Sequence, residues 1–415
     1  MNGVDIFWIL VFVAISLAGL AASRQFFGHW FTPLSIYTGV NCGSLALYHL
    51  RILDLIRLSG ETYALALGSI AMFAVGALGA VGGRSVRFPA AATHRRDATH
   101  LATFYYITAA IATLGWGLAL AILVSRHGLG GLLASIWRLQ DEFQMQFIGN
   151  LNLIGILVAP TYVIKRVFGA RRRLDEVILV ACLLGLLLAG IKAYITISVV
   201  AAILAWSVCR PDRFRAGQML AVLAVLLGFF VVYTQKIDIY AQEGYDAEGG
   251  AGMVAPLQRP YLYIAGSWPA LSAVAAGEVE PPPRPGHVLL QPGWKLLSAL
   301  GAAPALPTPL PFANIGVTEF NVYSYVGEVY WDAGPWAALL MSALLGFVST
   351  LAYVRARSAA YWGHLLVYAL VGYGVFMSQF AYFYTFNFVL MMIYAYGLGF
   401  FVLRGGVFID GRRRA

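Results

Sequence analysis

Glu319, Glu328 and Asp332 crowd into one short stretch, Asn314-Ile-Gly-Val-Thr-Glu319-Phe-Asn321-Val-Tyr323-Ser-Tyr325-Val-Gly-Glu328-Val-Tyr330-Trp-Asp332-Ala-Gly334-Pro-Trp336. Carboxylates among hydroxyls suit proton transfer, and either Glu319 or Glu328 could accept a proton from a substrate hydroxyl. Ion pairing with Lys295 or Arg259 is the competing role for both. Asp332 has a structural role open to it, as an N-cap facing a helix dipole; with Tyr323 and Lys295 it forms a supporting set. The complementary chemistry is anion binding. Lys192, Arg259 and Arg138 are its candidates, with Arg126, Arg284 and Lys295 as further choices. Arginine matches phosphate oxygens with a planar fork, whereas lysine acts as a point charge. Taken singly, each apart from Lys192 is equally well explained as an ordinary headgroup contact, and Arg284 as a solvated charge of the Pro-rich stretch.

These residues must be carried by membrane-spanning helices. Of 415 residues, 60% are apolar and only 11% charged, where a soluble domain is nearer half apolar and a quarter charged. Mean hydropathy is +0.74. A soluble enzyme, a nucleic-acid reader and a disordered regulator are all excluded, because a soluble surface cannot hide that much hydrocarbon. Apolar runs of span length cover roughly 5–23, 31–50, 62–83, 101–125, 150–168, 176–191, 193–209, 216–234, 335–354, 361–380 and 382–403. The expected fold is therefore an all-α polytopic membrane protein of about 11 transmembrane helices. The segments between runs alternate in charge: one set holds 19 of the 28 basic residues against five of the 19 acids. The positive-inside rule places that set in the cytoplasm, the N-terminus outside and the C-terminus inside. The net charge of +9 is thus a topology signal, and no nucleic-acid partner is expected. Residues 5–23 lack a basic leader region and read as a span. Cys42, Cys182 and Cys209 lie in apolar runs with no metal-ligand or disulfide spacing, so core packing is expected of them and no metal or other cofactor is implied.

The chain organises as residues 1–234 with eight spans, 235–334 as one large outer loop, and 335–415 with three spans and a basic tail, all in one integrated membrane domain. Twelve of the 17 prolines fall in the loop, so one long helix is impossible there. Tyr261–Ala276 and Trp294–Leu300 read as short helices that lie at the interface or re-enter the membrane. Residues 277–292 read as a Pro-rich strap, and Ser125–Gly149 as an amphipathic interfacial helix. Residues 174–209 must cross and return, which leaves each arm about 16–18 residues, or roughly 24–27 Å against a hydrocarbon core of about 30 Å. Lys192, at the turn Gly190-Ile191-Lys192, is thereby recessed in the outer leaflet. A recessed charge either faces a hydrated cavity and an anion, a lipid-linked phosphate or diphosphate fitting best, or snorkels to the headgroups.

With these features assembled, the chain resembles the Wzy-type oligosaccharide repeat-unit polymerases of bacterial envelopes. Three features carry the resemblance: a short helix pair with a basic residue after glycine at its outer turn, here Gly190-Ile191-Lys192; the Tyr261-Leu-Tyr-Ile-Ala-Gly-Ser-Trp-Pro-Ala-Leu271 stretch; and Tyr330-Trp331-Asp332-Ala333-Gly334, which looks like a Tyr-x-Asp-Phe-Gly step into a late span. Arg138 and Gly149 also match an Arg-x10-Gly pattern of some members. Lys192 stands where many members carry Arg, and Pro335 follows the glycine. The resemblance implies a GT-C-like glycosyltransferase of the inner membrane acting on undecaprenyl diphosphate-linked oligosaccharide at the outer face, with membrane lipids and a chain-length regulator as partners. Lys192, Arg259 and Arg138 would then hold the diphosphate, and Glu319 or Glu328 would serve as base. No Asp-x-Asp pair appears in the outer loops, so a metal-independent reaction is expected. The nearest rival is an O-antigen ligase with lipid A-core as acceptor, but residues 314–334 lack the histidine that ligases usually carry there. A lipid-linked oligosaccharide flippase would call for charges strung through several spans, and apart from Lys192 the span interiors are nearly free of them.

Overall fold

A computed structural model describes residues 3–86, 88, 98–135, 151–168, 172–188, 192–211, 255–284, 286–304, 310–358, 361–384, 386–395 and 397, with single positions at 217, 224 and 228. The described chain is mostly helical with little sheet. In chain order it forms α1 (Gly3–Phe27), α2 (Pro33–His49), α3 (Gly60–Gly79), α4 (Ala98–Ser135), a 3-10 turn (Ile154–Leu157), α5 (Val158–Val167), α6 (Arg173–Leu188) and α7 (Lys192–Cys209). There follow α8 (Ala255–Ala265), α9 (Ser267–Ala275), α10 (Gln291–Ala299), the hairpin β1 (Ala313–Asn314) and β2 (Glu319–Phe320), α11 (Tyr325–Ser358), α12 (Gly363–Phe376) and α13 (Phe386–Ile393).

Among the described residues four helical segments, Gly3–Phe27, Gly60–Gly79, His100–Gly131 and Tyr325–Ser358, are long and apolar enough to cross a membrane. Several other apolar runs give shorter helices. Within 150–168 the helix passes through the 3-10 turn before α5 begins, and the Ser198 hydroxyl donates to the Ile156 carbonyl at 3.0 Å. The run 216–234 and the Pro-rich positions 305–309 lie outside the described residues, apart from the single positions given.

The chain divides into two compact units. The first comprises residues 1–87, 227–353 and 374–389. Here α1 and α2 lie side by side, and the ring of Tyr37 stacks on that of Phe73 with centroids 4.0 Å apart. Backbone approaches are close where α3 meets α11. A Cβ on Gly76 would collide with the main chain of Ala343, and one on Gly346 with the main chain of Phe73. Such contacts let helices pack tightly without relying on a hydrophobic driving force that lipid does not supply.

The loop helices dock onto this frame through polar ties. Trp268, fully buried, donates from its indole N–H to the Ser44 hydroxyl at 2.9 Å. Ser272 accepts from the Ser59 amide and meets the Thr62 hydroxyl, each at 2.8 Å. The β1–β2 hairpin closes on the 50–59 segment by the hydrogen bond from Ile56 N–H to the Ile315 carbonyl at 3.0 Å. Gly316, at φ +102, sits where a Cβ would press on the Asp54 carbonyl, so both its conformation and its contact require glycine.

The second unit comprises residues 88–226, 354–373 and 390–415. Its core gathers Tyr105, Ala109, Ala112, Val158, Tyr162 and Cys182 from α4, α5 and α6. At one end of this core Lys165 and Asp175 form an ion pair of 2.6 Å with side chains 1% and 0% exposed. Both belong to the charge-rich segments that the positive-inside rule assigns to the cytoplasm. Asp175 Oδ1 also accepts from the Tyr106 hydroxyl at 2.8 Å, and Oδ2 accepts from the Arg172 amide at 2.7 Å. The Lys165 ammonium further lies 4.8 Å and 4.2 Å from the ring centroids of Tyr105 and Tyr106. Asp175 lies just before the apolar run 176–191. Burial by itself would lift its carboxyl, but the hydrogen bonds from Lys165, Arg172 and Tyr106 hold it below its ordinary value.

Candidate functional site

The carboxylates of the 314–334 stretch have three different fates, each set by local structure. Glu319 lies on β2 opposite Asn314 and is exposed. Glu328 falls in the first turn of α11, which Ser324 starts as an N-cap by accepting the Gly327 amide at 3.1 Å. The helix therefore points its positive dipole end toward this turn. The Glu328 side chain is buried, with the main chain of Tyr382 near its carboxyl. Among the described residues, neither Glu319 nor Glu328 forms an ion pair with Lys295 or Arg259, which closes the competing role for both. Ionised, Glu328 would be a buried charge without a cation, and such a group is costly unless a proton or a ligand compensates it.

Asp332 is fully engaged. Its carboxylate accepts three main-chain amides, from His287 at 2.7 Å, Val288 at 3.1 Å and Leu289 at 2.9 Å. It therefore caps the 287–289 turn of the loop. It is not an N-cap: it lies inside the first helical stretch of α11, and Gly334 (φ +84) separates that stretch from the one that follows from Pro335. The neighbouring Trp331 indole donates to the Glu280 carbonyl at 2.7 Å. Trp331 and Asp332 together pin the Pro-rich strap to the start of α11.

Tyr323, also buried, donates to the Pro311 carbonyl at 2.8 Å; burial and the nearby Glu328 carboxyl push its phenol up. Tyr382 lies within electrostatic reach of both Glu328 and Asp332. The first unit thus brings Glu328, Asp332, Tyr323 and Tyr382 into one cluster. Of the candidate cations, Arg259 is half-buried on α8 and Lys295 half-buried on α10. Lys192 opens α7 in the second unit. Arg138 lies outside the described residues.

A second cluster was missed by sequence reasoning. His49 Nδ1 lies 3.0 Å from Asp5 Oδ1, and its Nε2 lies 3.0 Å from the Tyr63 hydroxyl. If Asp5 fixes the proton on Nδ1, Nε2 is left to accept from Tyr63, an arrangement able to pass a proton from a half-buried phenol. The Trp8 ring stacks on Tyr63 at 4.3 Å. Arg51 completes the group, with Nε 3.5 Å from Asp5 and its guanidinium 4.5 Å from the Tyr48 ring centroid. Among the described residues it is the non-glycine residue with positive φ (+51). Such strain persists only where surroundings over-determine it, here through the hydrogen bond from Arg51 to the Leu55 carbonyl at 3.0 Å. The available signal was positional: Asp5 opens one apolar run and His49 closes the next, so antiparallel packing brings them to one end.

Among the described residues no group of three or more His, Cys, Asp or Glu side chains could hold a metal ion. No family model, no curated protein and no solved structure matches the chain.

Proposed function

We propose that the chain polymerises undecaprenyl diphosphate-linked oligosaccharide repeat units at the outer face of a bacterial inner membrane. In this reading about eleven spans carry the chain across, with the N-terminus periplasmic and the C-terminus cytoplasmic. The observation that carries it is Glu328, buried with no cation beside it among the described residues, where the large loop enters α11, and flanked by Tyr323 and Tyr382. In the reaction an acceptor sugar hydroxyl attacks the anomeric carbon of the donor. The bond from that carbon to the diphosphate oxygen breaks, and the hydroxyl proton passes to a carboxylate. Glu328 is the better base, because Asp332 spends its oxygens on three amides and Glu319 is exposed to solvent. Arg259, in the same unit as Glu328, is assigned to the leaving diphosphate, whose developing charge needs preorganised cations.

The test supplies purified full-length protein with a lipid-linked repeat unit, alone and together with lipid A-core. A ladder of glycan polymers is expected with the lipid-linked unit alone. Transfer solely to lipid A-core would select the ligase instead, and movement of intact lipid-linked glycan across a vesicle without a new bond would select the flippase.

A further inference from the structure

The second unit carries an open groove that the proposed reaction does not use. Its volume is about 620 Å3, and it is lined along α4 by Tyr106, Ala110, Thr113, Leu114 and Gly117 and along α6 by Ile178. That volume falls within the range of ligand pockets, and small residues on α4 create it. Nothing stands within 4 Å of where a Gly117 Cβ would be. From Tyr106 to Gly117 the helix rises about 16 Å, close to the depth of one leaflet of a hydrocarbon core about 30 Å thick.

The groove has one polar end. The Tyr106 hydroxyl at its wall donates to Asp175 and accepts from Lys165 at 3.1 Å. Asp175 in turn holds the Arg172 amide, so Arg172 stands two hydrogen bonds from the groove wall. The side chains of Arg172, Arg173 and Arg166 are all exposed. An open apolar groove about one leaflet long, whose polar end is tied through Asp175 to the main chain of the exposed Arg172, matches an acyl chain below a negative headgroup; basic pockets between membrane helices select anionic lipids in this way.

We propose that this groove holds an acyl chain of an anionic glycerophospholipid whose phosphate headgroup lies against Arg172 and Arg173. The site is independent of glycosyl transfer. A zwitterionic lipid could fill the channel but would gain little from the arginines, since each basic residue near an anionic surface contributes about a fivefold factor.

The test uses full-length protein in nanodiscs of equal parts phosphatidylglycerol and phosphatidylcholine, with the lipid carried through detergent extraction identified by native mass spectrometry. Wild-type protein retains phosphatidylglycerol in preference to phosphatidylcholine. The surface variant R172A/R173A lowers that preference by about thirtyfold, and Gly117→Leu, which places a side chain in the channel, abolishes retention of both lipids. Equal retention of the two lipids by wild type would overturn the proposal. So would undiminished phosphatidylglycerol retention in either variant.

Discussion

The buried pair in the second unit gives an asymmetric prediction. Lys165→Met leaves the Asp175 carboxylate buried but still bonded to the Tyr106 hydroxyl and the Arg172 amide. Asp175→Leu leaves the Lys165 ammonium at 1% exposure, with the Tyr106 hydroxyl and two aromatic faces as its remaining neighbours. Breaking a buried pair from one side costs about 3–5 kcal/mol. Lys165→Met belongs at the lower end because two of the carboxylate's hydrogen bonds survive, and Asp175→Leu at the upper end because cation–π contacts are worth about 2 kcal/mol at most in such a setting. The double variant K165M/D175L removes both charges and should lie closer to wild type than either single variant. Reversible unfolding of the full chain in mixed micelles measures all three. Acid supplies a second arm: because the folded carboxyl titrates below its ordinary value, the pair's contribution is intact above about pH 4. It is lost as pH falls through the lower folded value. Single variants equal to wild type, or Lys165→Met the more damaging, would refute the reasoning.

Other perturbations test the first unit. Asp332→Ala orphans three loop amides and should cost about 3–5 kcal/mol, exposing the 277–290 strap to limited proteolysis; Asp332→Asn, which keeps an acceptor oxygen, should cost less. Gly346→Ala should destabilise by about 1–3 kcal/mol through overpacking against Phe73. Gly43→Ala, whose Cβ meets nothing within 4 Å, should be neutral or stabilising by up to about 1 kcal/mol, and thermal denaturation ranks the two. In a double-mutant cycle, Asp5→Asn and Tyr63→Phe should be non-additive by at least about 0.5 kcal/mol because both act on His49; strict additivity would remove the relay.

Helix positions were largely legible because apolar runs report burial in lipid or core. The runs at 62–83 and 193–209 correspond closely to α3 and α7, and Tyr261–Ala276 to α8 and α9. What the runs could not show was which ends meet. Lys165 and Asp175 counted only toward the charge of the cytoplasmic segments, because a charge at the end of an apolar run has the same local pattern whether it faces water or a partner on another helix. Asp332 looked like a local cap, whereas its partners lie more than 40 residues upstream. Asp5 and His49 attracted no attention, since a lone acid and a lone histidine carry no spacing signal until two helices pack. The crowding of acids around Glu328 was visible, but the choice among them rests on burial and hydrogen bonds that only tertiary structure supplies.

The central claim is tested most directly by Glu328→Gln in a single-turnover assay with lipid-linked repeat unit, measuring bound substrate and new glycosidic bond in the same sample. The account predicts that substrate binding is kept while bond formation falls by about 10²–10⁴-fold, the usual contribution of a positioned base. Bond formation at the wild-type rate, or a variant that fails to bind the substrate at all, would contradict it.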